Sequence, residues 1–313
     1  MGTIEQEIDS QPGRWREAAV IVADVADRLP ARGGRLAVIG CGTSYYVGQA
    51  VASLWESAGH GESDAFAASE MPDGRRYDGV LAISRSGTTT EVLEALQHLP
   101  AQTSTFAIGA VADTPVTRAA DTSVSLEFAD EEAIVQTRFA TTVLALIRAH
   151  LGTDIETLAR EGEHALTAPL PLDLCAFDHF VFLGSGWAVG IANEAALKLR
   201  EAASAWSESY PVMEYRHGPI SVTSPTTLVW ALGNVDPTVL DSATQAGATV
   251  VDSGRDPMVE LVLVHRAAVA LAHHRGLDPS RPRHLNRSVV LPHDRRRTSR
   301  SPTTAATKAP LNY

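Results

Sequence analysis

Cysteine is scarce in this sequence, and its scarcity excludes two ways of stabilising a fold. The 313 residues include only Cys41 and Cys175, which lie far apart in the chain. Two isolated cysteines provide neither a disulfide framework nor the ligand cluster of a structural zinc site. We therefore expect a protein of the reducing cytosol that folds around an apolar core without disulfides or a zinc ligand cluster.

Long apolar runs and an excess of positive charge are also lacking. No stretch of about 18 apolar residues occurs, and residues 1–28 carry acidic side chains throughout rather than the apolar run of a secretory signal. The formal net charge is -11, whereas sequence-independent binding of nucleic acid requires a basic surface. These absences argue against membrane insertion, secretion and nucleic-acid binding, and they favour a cytoplasmic location.

The end of the chain is the exception to this acidic composition. Arginines accumulate from Arg281 onward, and Arg295, Arg296 and Arg297 lead into a segment rich in Ser, Thr, Pro and Ala. Such a segment has too few apolar residues to form a core. We predict a disordered basic tail over 293–313, solvated rather than acting as a nucleic-acid arm.

Short apolar runs that alternate with amphipathic stretches predict the architecture of the first half. After a helix over 13–29, apolar runs at 36–39 and 80–83 predict buried strands. Each run is followed by a polar turn that contains glycine and then by a helix, over 44–56 and 91–99 respectively. Further strands are predicted at 105–108 and 123–126, and a long helix at 133–151.

The same strand, turn and helix pattern restarts in the second half, as expected of a duplicated domain. A strand at 180–183 and a glycine turn precede a helix over 189–208, and strands are predicted at 228–232, 249–252 and 261–263. Prolines at 169 and 171 place the linker near 166–174. Strands that alternate with helices predict parallel sheets covered on both faces, with ligands at the carboxyl ends of the strands.

Two hydroxyl-rich turns are candidate phosphate sites. Thr43 and Ser44 follow the first strand where a helix begins, and backbone N–H groups at such a position favour an anion. A single phosphate suits this turn better than a dinucleotide, because Tyr45 stands where the third glycine of the dinucleotide fingerprint should be. The turn after the second strand combines hydroxyls with a guanidinium and a glycine, a set that binds phosphate through charge-assisted bonds. Its candidate ligands are Ser84, Arg85, Ser86 and Thr89. For both turns, helix capping is the alternative interpretation.

Three charged residues at helical spacing form a candidate catalytic group. Glu194, Lys198 and Glu201 share one stripe of their predicted helix. The stripe is either a solvated face with ordinary ion pairs or a carboxylate held beside an ammonium for proton transfer. His217 is followed by glycine and proline, which places it in a loop, where catalytic residues are common.

Six motifs occur in order along the chain and together indicate a family. They are Cys41-Gly42-Thr43-Ser44, Ser84-x-Ser86-Gly87-x-Thr89, Glu132-x-x-Val135-x-Thr137-Arg138, Glu194-x-x-x-Lys198-x-x-Glu201, Arg216-His217-Gly218-Pro219 and Pro282-Arg283-x-Leu285. This set resembles the sugar isomerase (SIS) family, most closely the isomerase half of glucosamine-6-phosphate synthase and its stand-alone relatives, amino-sugar-phosphate deaminases and fructosamine-phosphate deglycases.

The resemblance runs from about residue 35 to residue 290 and implies a fold. We expect an α/β protein with two tandem SIS domains, each a parallel sheet with helices on both faces in a three-layer αβα, flavodoxin-like arrangement. The implied boundaries are an N-terminal helix at 1–33, domains at 34–168 and 175–292, and the tail at 293–313.

The resemblance also implies which residues bind the substrate. Those expected to hold the phosphate and nearby sugar hydroxyls are Thr43, Ser44, Ser84, Ser86 and Thr89. Val135 and Thr137 match the segment that lines the sugar. The implied ligand is a small sugar phosphate, and no cofactor is implied.

Catalytic roles are implied for four residues. Glu201 matches the acid/base that moves a proton between C1 and C2, Lys198 matches its positioning partner, and Glu194 belongs to the same group. His217 matches a ring-opening histidine that in this family reaches across a dimer interface, so the resemblance implies a homodimer with shared active sites.

Two arginines depart from the pattern of the synthase. Arg85 stands where the synthase has glutamine, and we expect it to strengthen phosphate binding. Arg287 stands where the synthase has a lysine associated with the ring-opened substrate. An arginine remains protonated at physiological pH and cannot form a Schiff base. Arg287 nevertheless stays among the candidate substrate-binding residues.

The resemblance leaves the reaction open. The chain begins too close to the SIS region to contain a glutaminase half, so we do not expect glutamine to be the nitrogen donor. The prediction is a phosphosugar isomerase/deaminase of the type that converts glucosamine 6-phosphate to fructose 6-phosphate, with fructosamine-phosphate deglycation or plain aldose–ketose isomerisation as alternatives. A non-catalytic sugar-phosphate sensor is disfavoured by the intact Glu201 and His217.

Overall fold

The computed structural model describes residues 2–291, and within them two parallel sheets are surrounded by helices. None of the helices in this range combines the length and the apolar character needed to cross a membrane. The predicted tail over 293–313 lies outside the described residues.

The first sheet contains five strands in the order β2-β1-β3-β4-β5, and every neighbouring pair is parallel. The strands are β1 (Leu36–Gly40), β2 (Ser63–Ala67), β3 (Gly79–Ser84), β4 (Ser104–Gly109) and β5 (Thr122–Ser125). The strand order reverses between β1 and β3, and open parallel sheets bind ligands in the crevice at such a point. The turns after β1 and β3 therefore lie where a ligand is expected.

The second sheet contains four parallel strands in the order β7-β6-β8-β9. The strands are β6 (His179–Gly184), β7 (Trp206–Pro211), β8 (Thr227–Leu232) and β9 (Thr249–Val251). The α-helices of residues 2–291 are α1 (Thr3–Asp9), α2 (Gln11–Val25), α3 (Thr43–Ser57), α4 (Thr90–Gln97), α5 (Pro115–Ala119), α6 (Arg138–His150), α7 (Ile155–Thr167), α8 (Ala188–Ala203), α9 (Pro237–Gln245) and α10 (Pro257–His274).

Successive residues of the central strands face different cores, because neighbouring side chains of a strand point to opposite faces. Val38 of β1 lies in a central core shared with α3, α6, α8 and α10, whereas Ile39 faces a second core beside α4 and α5. Phe182 of β6 enters the same central core, and Leu183 faces a third core beside α9. Each sheet thus has helices on both faces, which confirms the predicted α/β class.

Among the predicted helices, α6 and α8 differ most from their predicted bounds. The helix predicted at 133–151 begins at Arg138, because the buried Glu131 carboxylate accepts the backbone N–H groups of Thr137 and Arg138 at 2.6 and 2.8 Å and fixes an irregular segment before it. The helix predicted at 189–208 ends at Ala203, where Ser204 adopts a left-handed backbone with φ of 49°. Residues 206–211 form the edge strand β7 instead.

The strand predicted at 261–263 is wrong, since these residues lie in the middle of α10. The helix begins where the Asp256 side chain accepts the backbone N–H of Met258 at 2.9 Å, and it is buried on nearly all sides. An apolar run inside a fully buried helix has no polar face to reveal its period. The elements α1, α5, α7, α9 and β2 were not predicted.

Helices α3 and α8 connect the two halves of the chain through a close antiparallel contact. Asn193 donates to Gln49 at 2.6 Å, and Lys198 donates to Thr43 at 2.9 Å. A Cβ atom added at Gly190 would lie 2.6 Å from the carbonyl oxygen of Tyr46 and 2.7 Å from the amide of Ala50. Glycine at position 190 therefore permits the close approach of α8 to α3, which brings α8 to the turn after β1.

Gly190→Ala is expected to lower the free energy of unfolding by about 1–3 kcal/mol, because overpacking against backbone atoms forces the helices apart. Gly13→Ala in α2 is the matched control, since a Cβ there meets nothing within 4 Å. It should leave stability unchanged or raise it by up to about 1 kcal/mol through its better helix propensity. Urea denaturation measures both variants, and equal stabilities would contradict the close-contact explanation.

Candidate active site

The turn after β1 presents two buried hydroxyl residues at the start of α3. Gly42 has φ of +55°, and Thr43 and Ser44 begin the helix with 3% and 4% of their surface exposed. No side chain caps α3, so the capping interpretation of these hydroxyls does not hold. Burial, assisted by the nearby Glu91, raises the pKa of the Cys41 thiol to about 11, so the cysteine of this turn stays protonated near neutral pH.

The turn after β3 gathers several hydroxyl groups at the N-terminus of α4. The amide of Gly87 donates to Ser84 Oγ at 3.2 Å, and the amide of Thr88 donates to Ser86 Oγ at 3.3 Å. Thr89 Oγ1 lies 3.5 Å from Ser84 Oγ, and Thr89 makes no side-chain cap to α4. Because β1 and β3 are paired in parallel, this turn lies beside the turn that carries Thr43.

The C-terminal segment, residues 280–291, lies against this turn. This contact was not predicted from the sequence. Ser288 Oγ is 3.1 Å from Ser86 Oγ and 2.8 Å from Thr88 Oγ1. The amide of Leu291 donates to Thr90 Oγ1 at 2.9 Å, and the amide of Thr90 donates to the carbonyl of Val289. A serine at the end of the described chain thereby joins the hydroxyl cluster of the β3 turn.

The two arginines that depart from the family pattern donate to backbone carbonyl groups. The Arg85 guanidinium is 2% exposed and donates to the carbonyl oxygens of Ala133 at 2.9 Å and Arg287 at 3.1 Å. Arg287 donates to the carbonyl of Glu131 and pairs with the Asp130 carboxylate. Both guanidinium groups thus contact protein oxygens, and substrate binding by Arg85 and Arg287 stays a prediction.

The segment predicted to line the sugar is buried and irregular. Val135 and Thr137 have 2% and 1% of their surface exposed. The Thr137 hydroxyl donates to Glu131 Oε1 at 2.9 Å, so it is engaged with the protein. Glu131, a residue that the sequence analysis did not single out, therefore holds the end of this segment next to α6.

The three charged residues of α8 form a buried group around Lys198. Lys198 Nζ donates to Glu201 Oε2 at 2.6 Å and to Thr43 Oγ1 at 2.9 Å, and it lies 3.3 Å from Glu194 Oε1. Glu194 and Lys198 are 0% and 1% exposed, so the alternative of a solvated helix face is excluded. The ammonium joins the helix of the second half to the first turn, a contact that no sequence pattern indicated.

Burial and charge act in opposite directions on this group. Burial raises the pKa of Glu194 to about 7, although Lys198 works against that shift. For Lys198, burial disfavours the ammonium, but Glu194 and Glu201 outweigh it and the pKa is raised. Lys198 thus remains charged across the neutral range and keeps a fixed positive charge beside Glu201.

Glu201 is the accessible member of the group. Its side chain is 18% exposed and lines a cavity together with Ser204 of the helix end and Asp278, Arg281 and Arg283 of the following chain. His217 lies in an exposed 3-10 turn (Val212–His217), and within residues 2–291 no hydrogen bond joins it to Glu201 or Lys198. The structure thus joins Glu201 to Thr43 through Lys198.

Comparison with known proteins supports the resemblance that the motifs predicted. The SIS domain family matches residues 31–151. The glutamine–fructose-6-phosphate aminotransferase [isomerizing] of Methanothermobacter thermautotrophicus is 25% identical over 324 residues, covering 88% of this chain and 54% of that protein. The chain thus spans about half the length of the curated relatives that it matches.

Two solved structures share the fold over nearly the whole described chain. Glucosamine-6-phosphate deaminase from Thermotoga maritima has a TM-score of 0.83 and 25% identity, covering 93% of this chain and 100% of that one. The C-terminal domain of glucosamine-fructose-6-phosphate aminotransferase from Francisella tularensis has a TM-score of 0.78, with 20% identity over 90% of this chain and 98% of that one. At that identity the second likeness shows the fold alone.

Proposed function

We propose that this protein moves a proton between C1 and C2 of a 6-phosphorylated amino sugar or ketose. The proposal starts from the match of residues 31–151 to the SIS domain family. The reaction would be of the type that converts glucosamine 6-phosphate to fructose 6-phosphate with release of ammonia. The observation that carries the proposal is the buried Lys198 ammonium, which holds Glu201 on one side and Thr43 of the ligand-side turn on the other. The likeness to a glucosamine-6-phosphate deaminase supports the choice of substrate class.

Glu201 is the proposed acid/base. Its carboxylate accepts a hydrogen bond from the Lys198 ammonium at 2.6 Å, and a carboxylate can accept a proton from carbon. The exposed part of its side chain gives a ligand access to that carboxylate, whereas Glu194 is fully buried. Lys198 positions Glu201, and Glu194 holds Lys198 from the interior of the protein.

The proposed phosphate ligands are the hydroxyls and amides of the two turns at the β1/β3 crevice. The side chains are those of Thr43, Ser44, Ser84, Ser86 and Thr89, and Val135 and Thr137 are proposed to line the sugar. Phosphate fits the N-terminus of α4 because the helix dipole favours an anion there and the hydroxyl groups of the turn can donate to it. A second SIS domain at 175–292 is part of the same proposal.

A homodimer with shared sites is also proposed. His217 is exposed and makes no hydrogen bond to Glu201 within the described residues, as expected if it acts in the site of another subunit. Each complete site would then combine Glu201 of one protomer with His217 of the partner subunit.

One assay tests the function directly: purified protein is incubated with glucosamine 6-phosphate, and ammonia and fructose 6-phosphate are measured together. Equal amounts of the two products support deamination with isomerisation. Interconversion of aldose and ketose phosphates without ammonia would assign plain isomerisation. Tight binding with no turnover of any sugar phosphate would contradict the enzyme proposal.

Ser86→Ala is expected to weaken binding of a 6-phosphorylated sugar by about 1–3 kcal/mol, the usual loss when a hydrogen bond to a charged group is removed. Binding of the sugar without phosphate should not change. Ser242→Ala on α9, where the hydroxyl donates only to the carbonyl of Thr238, is the control. Calorimetric titration measures the affinities, and equal weakening of both sugars would remove Ser86 from the phosphate site.

A further inference from the structure

Residues 131–137, which include the segment proposed to line the sugar, form hydrogen bonds with distant parts of the chain. Residues 131–137 belong to neither helix nor strand, yet they are largely buried. Buried backbone N–H groups require partners, and a segment without a ladder must obtain them from side chains or other loops. The partners of these groups therefore fix the shape of the segment.

A carboxylate of the N-terminal helix supplies two of these partners. Glu7 Oε1 accepts the backbone N–H groups of Glu132 at 2.6 Å and Ala133 at 3.2 Å. Glu7 lies on α1 and is 3% exposed, although the sequence distance to the segment exceeds 120 residues. Burial, together with the nearby Glu131, raises the pKa of Glu7, because both disfavour a charged carboxylate at this position.

The same peptide groups are tied to the rest of the proposed site. The carbonyl of Ala133 accepts from Arg85 of the β3 turn at 2.9 Å, and the amide of Ile134 donates to the carbonyl of Ser280 at 3.0 Å. Ala133 is thus held by Glu7 through its N–H and, through its C=O, by the turn after β3, which we call the phosphate-side turn. Val135 and Thr137 follow directly on this anchored stretch.

We infer that Glu7 is a positioning residue for the sugar-lining segment 132–137, which it holds in register with the phosphate-side turn through the amides of Glu132 and Ala133. The inference rests on the proposed function for its catalytic consequence, but the anchoring itself does not depend on it. Glu7 would touch neither the substrate nor the reacting atoms. Its effect on the reaction is transmitted by the backbone.

The chain offers matched variants for a test. Glu7→Ala removes the acceptor, whereas Glu7→Gln keeps an oxygen that can accept both amides. Glu5→Gln changes a carboxyl on the same helix that pairs with His273 at 2.8 Å instead of the segment. Glu7→Asp keeps the charge but withdraws the carboxylate by one methylene, and it serves if Glu7→Ala does not fold.

Hydrogen exchange followed by mass spectrometry, and steady-state kinetics, provide the readouts. Glu7→Ala should speed exchange of the amides at 132 and 133 by roughly tenfold or more, since both amides lose their hydrogen-bond acceptor. It should raise the KM for the sugar phosphate by a similar factor, with a smaller change in kcat and little change in inhibition by inorganic phosphate. Glu7→Asp should change exchange and KM in the same direction, whereas Glu7→Gln and Glu5→Gln should stay near wild type.

Unchanged exchange at 132 and 133 in Glu7→Ala, or in Glu7→Asp if the alanine variant does not fold, would overturn the anchoring. An unchanged KM, or an equal loss of inorganic phosphate and sugar phosphate binding, would overturn the positioning role. If the wild type turns over no sugar phosphate, the proposed function fails, and the exchange measurement still decides whether Glu7 holds the segment.

Discussion

Glu201→Gln is expected to lower turnover of the sugar phosphate by at least about 10²-fold, the lower end of the usual contribution of a general acid–base group. Glutamine keeps the size of the side chain and can still accept from Lys198 Nζ, which lies 2.6 Å from the carboxylate. Substrate affinity should therefore change little, and the loss should fall on kcat. Initial rates over a range of substrate concentrations measure the two parameters.

A proton-exchange experiment separates loss of the base from general damage to the site. The wild type should exchange the C2 proton of the substrate with solvent deuterium, whereas Glu201→Gln should not. Glu208→Gln is the control, because that partly exposed carboxylate pairs with His179 at 3.1 Å on the edge strand, away from Lys198. Wild-type turnover in Glu201→Gln would show that the α8 group is structural.

Mixing two inactive variants is expected to restore about a quarter of the wild-type activity if the sites are shared between subunits. In an equal mixture of Glu201→Gln and His217→Ala chains, half of the dimers combine one chain of each kind. One of the two sites in such a dimer then has both groups intact. Each variant alone should retain at most about 1% of the activity, given the size of acid–base contributions.

The control for this rescue is a mixture of Glu201→Gln with Glu194→Gln. Both changes lie on the same helix of one subunit, so every site in a mixed dimer carries one defect and no rescue is expected. Native mass spectrometry verifies that mixed dimers form. Rescue that is absent despite mixed dimers would place His217 outside the partner's site.

The local pattern of the sequence was sufficient for the α/β class and for both candidate turns. The strand β1 and the glycine turn after it form through interactions between neighbours in sequence. The same holds for the polar turn and the helix after β3. The strand wrongly predicted at 261–263 shows where this reasoning stops. A helix buried on nearly all sides has the same composition as a buried strand, and only its packing identifies it.

The motif positions predicted the residue types of the site, and the helical spacing predicted that Glu194, Lys198 and Glu201 share a stripe. Whether that stripe faces solvent or the interior depends on what packs against α8, and the spacing carries no such information. The contact of Lys198 with Thr43 exists because Gly190 lets α8 approach α3. The protein partners of Arg85 and Arg287 were not predicted for the same reason, since they are carbonyl groups distant in the chain.

The sequence by itself determined the α/β class, the position of the two candidate turns and the chemical types available at each turn, because these depend on interactions within a few residues. Only the tertiary structure decided which of those groups meet. The Glu7 carboxylate, the segment 131–137 and Ser280 come from three distant parts of the chain, and their contacts arise because buried peptide groups must find partners wherever the packed helices and strands leave them.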